Sequence, residues 1–165
     1  MGKGLVHIYA GDGRGKSPAA IGRAVQTAIE GKSVVIIQFL KGKGLDDSDF
    51  LRRMEPEIKL FRFEKSDENF AELSEEKKQE EIINIRNGIN YAKKVLSTGE
   101  CDLLILDEVL GLVEKGIITV EALKNLLECR GETNVILTGI ALNDEICVLA
   151  DEISKIETLK FRVWE

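Results

Sequence analysis

Short uninterrupted apolar runs alternate along this chain with longer stretches whose apolar positions recur every three to four residues. Leu5 to Ala10, Ser33 to Phe39, Leu103 to Leu106 and Val135 to Leu137 are of the first kind. Runs of this length without polar alternation are expected of strands covered on both faces. Ile58 to Phe63 is a weaker candidate strand, and Ile153 to Ile156 a weak last one. Between the strands, Ile21, Ala24, Val25, Ala28 and Ile29 mark one face of a helix that begins near Pro18 and stops at Gly31. Ser74, with Glu75 and Glu76 behind it, predicts a helix start, after which Ile82, Ile85, Ile89, Ala92 and Leu96 line one face until Gly99. Shorter helices are predicted to begin near Glu108 and Thr119, the second closing at Gly131, and Asn143 is a predicted cap for a last one. Strand and helix in alternation predict an α/β fold, a mostly parallel sheet flanked by helices on both faces, with ligands at the carboxyl ends of the strands. No repeat, low-complexity tract or linker breaks the pattern, so residues 1–165 are read as a single domain.

Composition narrows the class. At 165 residues and 44% apolar content the chain can bury a core. A net charge of -6, spread over both signs, disfavours a nucleic-acid backbone as partner. The apolar run after Met1 is too short for a leader or a membrane span, so no membrane association and a cytoplasmic location are expected. Cys101, Cys129 and Cys147 are widely spaced and accompanied by a single histidine, the pattern of reduced, mostly buried thiols. That histidine, His7, lies inside the first strand and reads as a packed structural residue. The acidic run Glu75 to Glu81 reads as a solvated helix face. Gly42 to Asp49 and Glu64 to Ser74 read as loops able to cover the ligand end of the sheet.

The chemistry concentrates in Gly11-Asp12-Gly13-Arg14-Gly15-Lys16-Ser17, between the first strand and the first helix. A glycine-packed turn lets successive backbone N–H groups surround an anionic phosphate, and the following helix offers its positive end to the same charge. Lys16 adds a full positive charge, and Ser17 offers a hydroxyl to a magnesium ion bridging the phosphates. Together these predict a P-loop for a nucleotide, ATP with Mg2+. The usual spacing G-x-x-x-x-G-K-[ST] would set its first glycine at position 10, where this chain has Ala10. Pro18 belongs to the same segment. It suits a first helical turn but removes an N–H that could face a phosphate. Asp107-Glu108 closes the run Leu103 to Leu106 and has the form of a Walker B site, carboxylates delivered to the end of a buried strand where a hard cation needs oxygen ligands. A helix start rich in acids is the other reading of that pair.

Over nearly its whole length the sequence resembles the ATP:corrinoid adenosyltransferases. Leu5 to Ala20 resembles the family opening V-H-x-Y-T-G-x-G-K-G-K-T-T-A-A. Val35 to Gly42 resembles V-V-Q-F-x-K-G, and Leu106-Asp107-Glu108 with Gly116-Ile117-Ile118 resembles L-D-E with a later G-L-I. Val135 to Gly139 with Leu149-Ala150-Asp151 resembles the family's last strand and helix. Ala10, Ser17 and Pro18 stand where the family has threonines, Arg14 where it has lysine, and Ile140 where an arginine follows Thr-Gly. The family's tail is longer than the segment ending at Glu165, and Phe70 is the nearest counterpart of its aromatic corrin-facing stretch.

The resemblance implies transfer of the 5′-deoxyadenosyl group from ATP to the cobalt(I) of a reduced corrinoid, with release of tripolyphosphate, in cobalamin synthesis or salvage. It implies that Gly11, Asp12, Gly13, Arg14, Gly15, Lys16, Ser17 and Pro18 form the nucleotide site. Lys16 and Glu108 would serve catalysis, and Ser17, Glu108 and Asp107 the metal. A homodimer and a flavin-dependent reductase as partner are further implications. Two other classes stay open on the sequence: a non-catalytic module that binds nucleotide or corrinoid, and a P-loop ATPase.

Overall fold

The computed structural model describes residues 2–40, 52–63 and 69–162. The stretch Gly42 to Asp49, residues 64–68 of the charged segment, and Trp164 lie outside the described residues. Six strands form one sheet: β1 (Val6–Ala10), β2 (Val34–Gln38), β3 (Ile58–Arg62), β4 (Leu103–Asp107), β5 (Asn134–Gly139) and β6 (Glu152–Lys155). Their order is β3-β2-β4-β5-β1-β6, and every pairing is parallel. Among the described residues the α-helices seen in full are α1 (Lys16–Ile29), α2 (Glu75–Thr98), α3 (Val109–Glu114), α4 (Val120–Glu128) and α5 (Asp144–Cys147).

The strands that read as continuous apolar runs are buried on both faces because each face carries its own core. Ile8, Val35, Ile37, Leu104, Leu106, Val135 and Leu137 point to the side covered by α2, α3, α4 and α5. Val34, Ile36, Ile58, Leu103, Ile105 and Ile136, at alternate positions, point to the side covered by α1, which contributes Ala20 and Ala24. Small residues there let α1 lie close to the sheet, so the turn from β1 into α1 stays over the strand ends. Ser74, Thr119 and Asn143 cap α2, α4 and α5, their side-chain oxygens accepting the N–H of Lys77, Ala122 and Ile146.

The acidic run departs from expectation at its last member. Residues 75–80 face solvent to differing degrees, but Glu81 is buried, 6% exposed. It sits one turn before Ile85 and two before Gly88 on the inner stripe of α2, so helical geometry carries it under the helix. Cys101 is buried, Cys129 and Cys147 are half-buried, and all three are free thiols. Burial pushes the Cys101 thiol up to about 12. His7 packs within the sheet, its ring 4.3 Å from that of Tyr9 and its Nε2 3.0 Å from Ser154 Oγ. Among the described residues no helix is long and apolar enough to cross a membrane.

Candidate functional site

Parallel strands bring the last residues of β2, β4, β5 and β1 to one end of the sheet. Register sets Gln38 opposite Asp107 and Ala10 opposite Gly139. From this end β1 runs into Gly11 to Gly15 and then α1, so the glycine-rich turn lies over the same strand ends as Asp107. Gly15, with φ 112°, is the N-cap of α1, and no acidic side chain occupies the first turn. The N–H groups at the start of a helix lack intrahelical acceptors, and here Pro18 supplies none, leaving the positions of Lys16 and Ser17 as the donors of that turn. Lys16 is half-buried, and its Nζ donates to the carbonyl oxygen of Gly13 at 3.2 Å, folded back over its own loop.

Asp107 is the centre of a buried polar cluster. Its Oδ1 accepts from Ser17 Oγ at 2.9 Å and from Thr138 Oγ1 at 2.7 Å, and its Oδ2 accepts from Gln38 Nε2 at 3.3 Å. Gln38 and Thr138 are 0% exposed, Asp107 1% and Ser17 7%. Four elements, α1, β2, β4 and β5, each contribute one side chain to this cluster. The Thr138 hydroxyl also accepts the N–H of Glu108 at 2.8 Å. Glu108 holds a left-handed backbone with φ 63°, uncommon for a residue with a side chain, and its carboxylate lies over Gly111. Such strain gathers at functional sites. Asp107 thus bonds to Ser17 directly, and Glu108 follows it at the start of α3.

The donor set suits a small hard cation. Ser17 Oγ, the Asp107 carboxylate and Thr138 Oγ1 are all oxygens, and Gln38 Oε1 is a buried oxygen without a hydrogen-bond partner. No three His, Cys, Asp or Glu side chains converge among the described residues. Magnesium is commonly held by one or two protein oxygens together with phosphates and water, and Ser17 Oγ with the Asp107 carboxylate offers oxygens of that kind.

A second feature has no local sequence signal. The segment after β6 crosses the outside of the glycine turn. The Ile156 carbonyl accepts the N–H of Gly13 at 3.1 Å, and Thr158 Oγ1 accepts the N–H of Arg14 at 2.6 Å. The Arg14 guanidinium lies 4.0 Å over the ring of Phe161. A Cβ on Gly11 would come within 2.4 Å of the Ile156 oxygen, and one on Gly13 within 2.5 Å of that oxygen and 2.7 Å of the Thr158 nitrogen. Close approach of the tail accounts for glycine at both positions, and at Gly11 a φ of 118° adds to it.

Of the residues singled out from sequence, Gly11 through Ser17 and Asp107 come together, with Glu108 adjacent. Asp12 and Pro18 are exposed on the loop and helix surface. Ile140 is exposed just beyond β5, and Phe70 is half-buried beneath the Lys78 ammonium, 5.9 Å from the ring centre. Gln38, Thr138 and Thr158 were not among the predicted site residues. The signal available for the first two was a polar residue at or next to the end of an otherwise apolar strand.

The sequence profile of the ATP:corrinoid adenosyltransferase BtuR/CobO/CobP family matches residues 2–164. The corrinoid adenosyltransferase of Escherichia coli strain K12 is 26% identical over 159 residues, 96% of this chain and 79% of that protein. Corrinoid adenosyltransferase CobA of Salmonella typhimurium is similar to the same extent, and the corrinoid adenosyltransferase of Pseudomonas aeruginosa is 22% identical over 96% of this chain and 77% of its own length. Among solved structures, a KaiC-like protein, PH0186 of Pyrococcus horikoshii, superposes with a TM-score of 0.59 at 18% identity, covering 97% of this chain and 76% of that one. That last likeness bears on the fold alone.

Proposed function

Since the chain belongs to the ATP:corrinoid adenosyltransferase family, we propose that it transfers the 5′-deoxyadenosyl group of ATP to the cobalt(I) of a reduced corrinoid, releasing tripolyphosphate. The observation that carries the proposal is the joining of the glycine turn and Lys16 to the buried Ser17–Asp107 pair at one end of the sheet. In this reaction the electron pair of the reduced cobalt, part of the substrate, forms a bond to the ribose C5′. The C5′–O bond breaks, and its electrons leave with the triphosphate. The protein's tasks are to align the ribose carbon with the metal and to stabilise charge developing on the departing phosphates.

Lys16, parked on the Gly13 carbonyl, is within reach of its own loop and would exchange that carbonyl for a phosphate oxygen. The first turn of α1 adds its positive end. Ser17 and Asp107 would hold magnesium, with Glu108 beside them, and the ion when bound would neutralise part of the leaving group's charge. Thr138 and Gln38 keep the Asp107 carboxylate fixed, so that it need not reorganise as charge moves. The corrinoid and ATP are the proposed substrates. A homodimer, a cytoplasmic location and supply of reduced corrinoid by a flavin-dependent reductase belong to the same proposal.

A second reading, a nucleotide-binding relative without turnover, draws support from the tail, which occupies the N–H groups of Gly13 and Arg14. Anaerobic incubation with MgATP and chemically reduced corrinoid separates the readings. A light-sensitive alkylcobalt product together with intact tripolyphosphate is expected. Bound corrinoid without product supports the second reading, and ADP with free phosphate identifies an ATPase instead.

A further inference from the structure

Gln38 closes β2 with a side chain that is wholly buried, and its two polar atoms differ in fate. Nε2 donates to Asp107 Oδ2 at 3.3 Å. Oε1 has no partner, and it is the one buried side-chain N or O atom among the described residues in that condition. The amide cannot turn over to relieve it, because an ionised carboxylate only accepts hydrogen bonds and would face the amide oxygen after a flip. A buried acceptor left unsatisfied destabilises the fold, and a methionine or leucine of similar volume would fit β2 without that cost. An atom in this state fits a site that is complete only when a hydrogen-bond donor arrives from outside the chain.

The surroundings indicate what kind of donor. The other end of the same amide is on the Asp107 carboxylate, which also accepts from the hydroxyl of Ser17. A ligand entering here has to bring positive charge and O–H donors together. A hydrated divalent cation does both: magnesium gives up its waters reluctantly, and each retained water offers two polarised O–H groups to the protein. Outer-sphere partners of this kind orient the groups that hold a metal and tune its affinity.

We propose that Gln38 is a positioning residue for the metal–nucleotide complex: its amide N–H fixes Asp107 Oδ2, and its Oε1 accepts a hydrogen bond from a water carried by the bound divalent cation. The proposal rests on the reading of Ser17 and Asp107 as the metal side of the nucleotide site. It assigns Gln38 no contact with the nucleotide and no role in holding the empty fold together. Two consequences follow that a structural residue would not produce. Replacing Gln38 by methionine removes the unsatisfied Oε1 together with the long bond to Asp107 Oδ2, two opposing effects that leave ligand-free stability little changed. The same replacement weakens nucleotide binding only when magnesium is present.

The test uses the whole chain and three readouts: the melting temperature without ligand, ATP affinity in EDTA, and the magnesium concentration giving half-maximal ATP binding. For Gln38→Met the expected results are a melting temperature close to that of the wild type, unchanged ATP affinity in EDTA, and a magnesium requirement raised about tenfold. Gln38→Glu, which restores an oxygen and adds charge, should lower the ligand-free melting temperature through repulsion from Asp107 and bring the magnesium requirement below that of the wild type. If Gln38→Met does not fold, Gln38→Glu alone decides, and a magnesium requirement equal to the wild type overturns the proposal. An equal loss of ATP affinity with and without magnesium in Gln38→Met also overturns it, because the side chain would then be touching the nucleotide. If wild-type binding shows no magnesium dependence at all, the reading of Ser17 and Asp107 fails and takes this proposal with it. If the wild type depends on magnesium and Gln38→Met has the same requirement, only the role of Gln38 is lost.

Discussion

Replacing Thr138 by valine removes one hydroxyl and almost nothing else, and that hydroxyl makes two bonds at the centre of the site. It donates to Asp107 Oδ1 at 2.7 Å and accepts the N–H of Glu108 at 2.8 Å. A hydrogen bond to a charged group contributes about 1.5–3 kcal/mol, and a backbone N–H left without an acceptor costs about 1–3 kcal/mol. Both losses pass through one atom, so they do not add fully, and no cavity forms because the side chains have nearly the same shape. The expected destabilisation is about 2–4 kcal/mol. Urea unfolding measures it as a lower midpoint at unchanged slope, a shift of about 0.7–1.3 M for a slope of about 3 kcal/mol per M. Binding of magnesium and ATP should weaken as well, since the left-handed turn at Glu108 loses its anchor. Thr138→Ser keeps the hydroxyl and gives up one methyl, which limits its loss to about 1 kcal/mol. A Thr138→Val protein within about 0.5 kcal/mol of wild type would show that the hydroxyl does not hold the carboxylate, and the account of the cluster would be wrong.

Other consequences are as direct. Lys16→Ala deletes a half-buried cation from the loop and leaves both cores intact, so calorimetry should find ATP binding weakened about 10- to 150-fold, equivalent to about 1.5–3 kcal/mol, with the melting temperature nearly unchanged; undiminished affinity would remove Lys16 from the site. Gly13→Ala places a methyl group 2.5 Å from the Ile156 oxygen, so the tail should lift and trypsin should cut after Lys155 and Lys160 faster than in wild type; an unchanged cleavage rate would mean the tail does not press on the loop. His7 has its pKa lowered below 6.5 by burial and by the Arg23 charge, partly offset by Glu152, so the fold favours the neutral ring. Its contribution to stability is therefore fully present above that unfolded-state value and is lost as pH falls through the lower folded-state value. Urea midpoints between about pH 5 and 8 should show that decline in the wild type and a flatter profile in His7→Gln, whereas the same profile in both would assign the titration elsewhere.

What could be read from the sequence was local. The turn from β1 into α1, the helix caps at Ser74, Thr119 and Asn143, and the apolar strands each follow from neighbouring residues, and all lie where the pattern sets them. The wiring of the site is not local. Gln38 reaches Asp107 across 69 residues of sequence and Thr138 across 31, distances over which a single sequence carries no pairing information. The family pattern puts Glu108 ahead of Asp107, and the bonds from Ser17, Thr138 and Gln38 to Asp107 come from strands and a helix far apart in sequence. The loop glycines were legible as glycines but only partly in their cause. Phosphate binding accounts for a glycine-rich turn, yet at Gly13 the absent side chain is required by Ile156 and Thr158, more than 140 residues downstream. Glu81 was misjudged because charge was weighed above helical phase.

In the proposed reaction attack falls on the ribose carbon and the whole triphosphate departs as one group. ATP carrying oxygen-18 at the bridge between C5′ and the α-phosphorus shows which bond breaks. After anaerobic reaction with reduced corrinoid, mass spectrometry should find the label wholly in intact tripolyphosphate, because the C5′–O bond is the one that breaks, and none in the alkylated corrinoid. Label retained on a nucleoside or nucleotide, with phosphate released from the far end of the chain, would mean that the bond cleaved lies at phosphorus, and the account would be contradicted.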